Sequence, residues 1–328
     1  SLKSLGLPSF RAKQVWQWLH QKGAGSFDEM TNLSKQLRDT LSDKYIIKFC
    51  EVERKSVSAL DGTVKYLMEM NDGEKIESVF MKYEHGNTLC ISSQVGCRMG
   101  CAFCASTLGG LIRKLEPFEM LDQVLFTQLD SGLPISNIVL MGIGEPLDNY
   151  DNVMRTIEIL TADWGFGWSP KRITLSTIGV IPNLKRFLDE CKCHLAVSLH
   201  NPFGPERLSM MPVQGAWPIQ EVIDLIKQYD FTGQRRVSFE YTMFAGFNDT
   251  KAHADALIRM MKGLECRMNL IRFHKIPDFP YETSPDAIME NFKTRLNNSG
   301  LMTTIRASRG EDILAACGML AGQHKEER

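Results

Sequence analysis

From about residue 75 onward, short apolar runs alternate with longer stretches whose apolar residues recur every three or four positions. The short runs predict strands over 76–82, 88–92, 137–141, 172–177, 194–199, 236–243, 268–273 and 302–306. The longer stretches predict helices over 116–130, 149–161, 181–191, 218–229, 249–262 and 285–297. Boundary residues agree: Ser284 reads as an N-cap followed by Pro285 at the first helical position, Gly300 follows the end of that helix, and Asp249 reads as the cap of the helix before it. Strand–helix alternation predicts a mainly parallel sheet with helical crossovers. Six such units predict an α/β fold of the partial (βα)6 barrel type rather than a flat doubly wound sheet.

The N-terminal part reads differently. A helix over 11–20 carries Val15, Trp16 and Leu19 at helical spacing and stops at Gly23; a second helix is expected over 33–44. The expected division is a small helical domain over 1–60 and a core over 61–328. Arg11, Lys13, His20 and Lys22 lie on or near the first helix, as a solvated face or as a nucleic-acid contact. There is no internal repeat, and the tail over 324–328 is charged and expected to fray.

Hydrophobic residues make up 43% and charged residues 23%, which excludes a mostly disordered chain. Lys plus Arg is 38 and Asp plus Glu is 39, a net charge of -1, so any polyanion must be met by a local basic face. No uncharged apolar window is long enough for a membrane span. The opening Ser1-Leu2-Lys3-Ser4 lacks the apolar stretch of a secretory signal, and the expectation is a cytoplasmic protein.

The nine cysteines change the picture. An odd number in a large chain without an export signal does not fit a secreted disulfide framework. Cys97, Cys101 and Cys104 stand at C-x3-C-x2-C spacing, which points to a site. A structural zinc takes four protein ligands, and a thiolate-bound iron–sulfur cluster normally takes four cysteines. Here no further Cys or His follows at close range, so a fourth ligand comes from afar or one metal position stays open. The triad follows the strand over 88–92, at the C-terminal end of a barrel strand, where such folds place their chemistry. Phe103, beside the third thiol, would shield a cluster from water.

The C-x3-C-x-Phe-C motif after the first barrel strand resembles the radical S-adenosylmethionine (SAM) superfamily. The resemblance implies a 4Fe–4S cluster on Cys97, Cys101 and Cys104 with one iron open to SAM, whose reductive cleavage gives a deoxyadenosyl radical. Gly142-Ile143-Gly144-Glu145-Pro146, closing the strand over 137–141, is similar to that superfamily's Gly-Glu-Pro motif, which holds the SAM amino group.

The resemblance narrows further. Cys90-Ile-Ser-Ser-Gln-Val-Gly-Cys97, Ala315-Ala316-Cys317-Gly318 and Met30-Thr31-Asn32-Leu33-Ser34 together resemble the RlmN-type adenine-C2 RNA methyltransferases, over essentially the whole chain. The related Cfr enzymes methylate adenine C8 with the same two extra cysteines. The family resemblance implies that Cys317 takes a methyl group from a first SAM, that a second SAM gives the radical that removes a hydrogen from that methyl, and that the carbon then bonds to adenine C2. Glu77 matches the family's proton acceptor, and Cys90 then attacks the Cys317 sulfur, releasing methylated RNA and leaving a disulfide for an external reductant. Cys317 follows Ser308-Arg309-Gly310-Glu311-Asp312, a loop with a glycine that would let it swing. The positions matching SAM ligands are Gly144, Glu145, Ser176, Ser198, Leu199 and His200; His274 stands where other members carry Asn. Cys50, Cys191, Cys193 and Cys266 match no motif and read as structural thiols.

The resemblance implies 23S rRNA and tRNA as partners, a flavodoxin- or ferredoxin-type electron donor, and a monomer. Chemistry on a base edge requires an unstacked nucleotide, which loops supply. Candidate phosphate contacts are Arg11, Lys13, Arg98, Arg113, Lys114, Arg235, Arg236, Arg306 and Arg309, expected on one face that joins the N-terminal helices to the barrel mouth. The other class of reading is a non-catalytic iron–sulfur or zinc RNA-binding module. It leaves Cys90, Cys317 and Gly144-Glu145-Pro146 without a role.

Overall fold

The computed structural model describes residues 6–47, 50–231, 236–276, 279–316 and 319–320. Two helices, α1 (Ser9–His20) and α2 (Lys35–Lys44), form the N-terminal unit around Met30, Leu33 and Leu41. Ser34 caps α2 by accepting from the Leu37 amide at 3.3 Å. The unit docks on the core through aromatic contacts: Trp16 meets Trp164 with centroids 5.6 Å apart, and His20 meets Phe166 at 5.5 Å. His20 is therefore not part of a solvated basic face. It is buried, stacked on Trp16, and burial pushes its pKa down to about 4.

The boundary expected near residue 60 falls inside a turn. A hairpin, β1 (Glu51–Val57) and β2 (Val64–Glu69), belongs to the main sheet, so the helical unit ends before Glu51. β3 (Lys75–Tyr83) and β4 (Gly86–Cys90) continue antiparallel. A two-stranded ribbon, β5 (Gln94–Gly96) with β6 (Leu111–Lys114), closes the cysteine loop.

From β4 the chain winds in parallel crossovers. α3 (Pro117–Ser131) leads to β7 (Ile135–Leu140), α4 (Tyr150–Thr161) to β8 (Ile173–Thr177), and α5 (Ile181–Glu190) to β9 (His194–Ser198). α6 (Gly204–Met210) and α7 (Ile219–Ile226) lead to β10 (Val237–Met243), α8 (Lys251–Met261) to β11 (Arg267–Arg272), and α9 (Asp286–Asn298) to β12 (Met302–Ile305). Strands β4, β7, β8, β9, β10, β11 and β12 are neighbours in that order and all parallel. Six βα units in sequential order make the open barrel expected, with β1 and β12 at the edges of the ten-stranded sheet. Sequential winding aligns the C-terminal strand ends at one mouth.

Helix starts differ in detail from the expectation. The Ser284 hydroxyl donates to the Asp249 carboxylate at 2.8 Å, and Asp249 also accepts from the Gly246 amide at 3.1 Å. The two residues tie the starts of α8 and α9 together, leaving Thr250 and Pro285 at the cap positions. Among the described residues no helix is long and apolar enough to cross a membrane.

Candidate active site

The β5–β6 ribbon shapes the cysteine loop. The Cys97 amide donates to the Gly110 carbonyl at 2.9 Å, and Gly96 sits there with φ 73°, where an added Cβ would lie 1.9 Å from that oxygen. Inside the loop the Cys104 amide donates to Cys101 O at 3.0 Å, and Thr107 Oγ1 donates to Cys104 O at 2.9 Å. Much of the loop's main chain is thus bonded within the loop, and Cys97, Cys101 and Cys104 line one cavity of about 150 Å³. Phe103 closes its wall, edge-on to His200 at 4.8 Å. Burial, with the neighbouring thiols and Glu145, pushes Cys97 up to about 12 and Cys101 well above the ordinary thiol range. These are neutral thiols until a metal takes their protons.

Among the described residues no group of three or more His, Cys, Asp or Glu side chains is placed to hold a single metal ion. A lone zinc asks for four donors about 2.3 Å from one centre. A cluster whose irons each take one thiolate asks for thiols spread round a cavity. The donor set here, three thiols in a largely buried cavity with no fourth beside them among the described residues, fits the second requirement.

The wall opposite is built by the turn after β7. Gly144 has φ 107°, and a Cβ there would lie 2.6 Å from the Gln94 Cβ, so only glycine passes. The Glu145 amide donates to Gln94 Oε1 at 2.9 Å. The Glu145 carboxylate turns into the protein, accepting from Thr177 Oγ1 at 2.6 Å and from the Ile178 and Leu147 amides, both at 3.0 Å. Burial pushes its pKa up to about 7 against the pull of these donors. Its geometry therefore ties the end of β7 to the end of β8.

Ser176 and Ser198, at the ends of β8 and β9, line the same cavity, as do Gly144, Glu145 and His200. His200 has φ 56° and its Nδ1 accepts from the Thr242 amide at 2.9 Å, which puts the ring hydrogen on Nε2. Burial and the nearby Arg207 hold it neutral, with its pKa down to about 3. Leu199 does not line the cavity. Its side chain is in the core, and its amide donates to Glu240 O at 3.0 Å.

His274 lies elsewhere, in a second cavity that also contains Cys90, Arg306, Ala315 and Ala316. The two cavities share Met141, Ile271 and Arg306 as walls. Cys90 ends β4, paired with Val79 of β3 and Val139 of β7. Glu77 stands two residues before Val79 and so on the same face of β3. It pairs with Lys65 at 2.9 Å, and Lys65 also donates to Leu314 O at 3.2 Å. Cys317 and Gly318 lie outside the described residues, as do Arg235 and residues 324–328. The chain leading to Cys317 is fastened rather than loose: Asp312 accepts from Ser58 Oγ at 2.7 Å and the Ala59 amide at 2.9 Å, and the Gly310 amide donates to Asp61 at 3.1 Å.

Four of the nine expected phosphate contacts are paired with carboxylates. Arg98 pairs with Asp148, Arg113 with Asp72 at 2.5 Å and Glu119 at 2.8 Å, Arg306 with Glu240 at 3.3 Å, and Arg309 with Asp61 at 4.0 Å. Arg306 is a wall between cavities. Arg236 is not at the mouth: it lines a larger cavity of about 1040 Å³ at the N-terminal ends of the strands, with Lys171 and Arg267. Sequence reasoning also missed Glu240, Gln94, Thr177 and Arg207. For Glu240 a signal existed, a carboxylate inside the apolar run of β10; it is buried and accepts from Asn269 at 2.8 Å.

Comparison with known proteins agrees with this geometry. Residues 91–257 match the radical SAM superfamily, and residues 2–47 match the ribosomal RNA large subunit methyltransferase N-terminal domain. A radical SAM methyltransferase from Sphaerobacter thermophilus superposes with TM-score 0.92 at 38% identity, covering 98% of this chain and 96% of that one. The fold and the thiol-lined mouth are those of a radical SAM protein, for which a 4Fe–4S cluster and SAM are the implied cofactors. Relatives narrow the class. Proteins named probable dual-specificity RNA methyltransferase RlmN are 47% identical in Bacteroides fragilis (99% of this chain, 94% of theirs) and 51% identical in Parabacteroides distasonis (97% and 92%). The chain belongs to the RlmN family.

Proposed function

We propose that this protein methylates C2 of an adenosine in 23S rRNA and of the adenosine 3′ of the anticodon in some tRNAs. The observation that carries this reading is the adjacency of two cavities with shared walls. One is lined by the three motif thiols, the other by Cys90 and by Ala315 and Ala316, which lead into Cys317. Methylation at C2 needs such a pairing, because that electrophilic carbon cannot displace a methyl group from a sulfonium.

When bound, the cluster and SAM supply a one-electron reduction that converts a sulfonium into a carbon radical. Cys97, Cys101 and Cys104 would hold the cluster, and the Gly144–Glu145 turn with Ser176, Ser198 and His200 would seat SAM. Phe103 keeps water from that cavity. Cys317 carries the methyl group as a thioether, and after loss of one hydrogen atom its carbon bonds to adenine C2. The adduct gives up its C2 proton to Glu77 and one electron to the enzyme's redox chain. The Cys90 thiolate then attacks the Cys317 sulfur: the S–S bond forms, the S–C bond breaks, and the carbon keeps the electron pair and takes a proton. An external dithiol reopens the disulfide, which suits a monomer working in the cytoplasm with a flavodoxin- or ferredoxin-type donor. His274, placed beside Ser308 at 3.0 Å, is assigned to the loop before Cys317 rather than to SAM.

The test is turnover with labelled SAM and both RNAs under anaerobic conditions. Cys317→Ala is expected to lose all methyl transfer with the cluster intact. Cys90→Ala is expected to accumulate a protein–RNA crosslink. Absence of that crosslink would remove Cys90 from the reaction, and 8-methyladenosine in the digest would replace C2 with C8.

A further inference from the structure

Arg207, on α6, is the largest fully buried side chain among the described residues, at 0% exposure. A guanidinium taken out of water costs several kcal/mol unless an anion compensates it. No carboxylate among the described residues pairs with it. Its partners are neutral oxygens: Leu199 O at 3.0 Å, Ser198 O at 3.1 Å, Ile178 O at 3.3 Å and Gln214 Oε1 at 2.8 Å. These hydrogen bonds occupy four of its five N–H groups and leave its charge unopposed. An arginine cannot escape by losing its proton.

The charge sits against the lining of the thiol cavity. Ser198 and Ile178, whose carbonyls hold the Arg207 Nη2, both line the cavity of Cys97, Cys101 and Cys104. The connection is mechanical as well. Met210 O, at the end of α6, accepts from the Ala102 amide at 2.9 Å, and a Cβ on Gly100 would touch Pro212 at 3.4 Å. α6 is thus clamped to the cysteine loop, with its one buried cation bonded to two main-chain carbonyls of the thiol cavity's lining residues.

We propose that Arg207 is a positioning residue of electrostatic kind, the permanent counter-charge of the cluster held by Cys97, Cys101 and Cys104, and that it raises the cluster's reduction potential. A 4Fe–4S core of charge +2 with three thiolates carries −1, and −2 after taking one electron. A fixed cation in a poorly polarisable surrounding stabilises the second state more than the first. It therefore favours the reduced form that the reaction needs.

The inference rests on the cluster reading, and the experiment separates the two. Wild type, Arg207→Lys, Arg207→Gln and Gln214→Glu are reconstituted anaerobically, iron is counted, and the reduced fraction is followed by EPR against a potential scale, without SAM or RNA. Gln214→Glu leaves Arg207 and its main-chain bracket in place and sets a carboxylate against the guanidinium. Expected is a shift of about tenfold toward the oxidised cluster, 59 mV for one electron, in Gln214→Glu and Arg207→Gln. Arg207→Lys, which keeps the charge, stays near wild type. A Gln214→Glu potential equal to wild type overturns the proposal, as does an equal fall in Arg207→Lys and Arg207→Gln, which would leave only a bracket for main-chain carbonyls. If Arg207→Gln takes up no iron, the comparison of Gln214→Glu with wild type decides. A wild type without iron would sink the cluster reading instead.

Discussion

Single residues at this site matter through what they exclude as much as through what they bind. Gly144 is the clearest case, because both its φ of 107° and the 2.6 Å approach of Gln94 forbid a side chain. Gly144→Ala is expected to cost about 1–3 kcal/mol of stability and to weaken SAM binding at least about tenfold. Equilibrium dialysis on the cluster-loaded protein with a denaturant titration checks both, and unchanged SAM affinity would free the turn from the cofactor site. Glu145 acts through its carboxylate's three donors, so its role in the sequence motif is architectural at this wall. The cysteine spacing and the Gly-Glu-Pro turn were legible in the sequence because their chemistry is written in adjacent residues. Arg207, Thr177 and Gln94 were not, because each acquires meaning only from a strand or helix brought beside it by folding.

Among elements, α1 shows how a local reading fails for a tertiary reason. Its pattern read as an amphipathic helix with a basic face, and the helix is there, but His20 packs against Phe166 with both ring nitrogens unpartnered. Its folded pKa, about 4, lies below the ordinary 6.5, so only the neutral form is accommodated. The stability it permits is complete above about 6.5 and is lost as pH falls through about 4. His20→Phe keeps the stacking and removes two unsatisfied atoms. It is expected to gain about 1–3 kcal/mol near neutral pH and more toward pH 4. The difference between urea midpoints of wild type and variant across pH measures this, and parallel curves would contradict it. The strands from β7 onward were legible because each is an apolar run between helices. β1, whose sequence Glu51–Val57 is mostly charged, and the three-residue β5 offered no such pattern. α6 is seven residues long and begins Gly-Pro, too short for a helical period to show.

At the scale of the molecule, sequential parallel winding gathers the ends of β7, β8, β9 and β10 at the mouth where the cysteine loop sits, and the β1–β2 turn holds the C-terminal loop over the neighbouring cavity. The net charge of -1 is matched by a mouth whose arginines are paired with carboxylates. The central claim is that three spread thiols hold a cluster with a vacant corner for SAM. Its most direct test is the EPR spectrum of the anaerobically loaded, reduced protein before and after SAM, with deoxyadenosine measured in the same sample. The account predicts a changed spectrum and deoxyadenosine in the wild type, and neither in Cys101→Ala. A reduced cluster that is indifferent to SAM and yields no deoxyadenosine would contradict it.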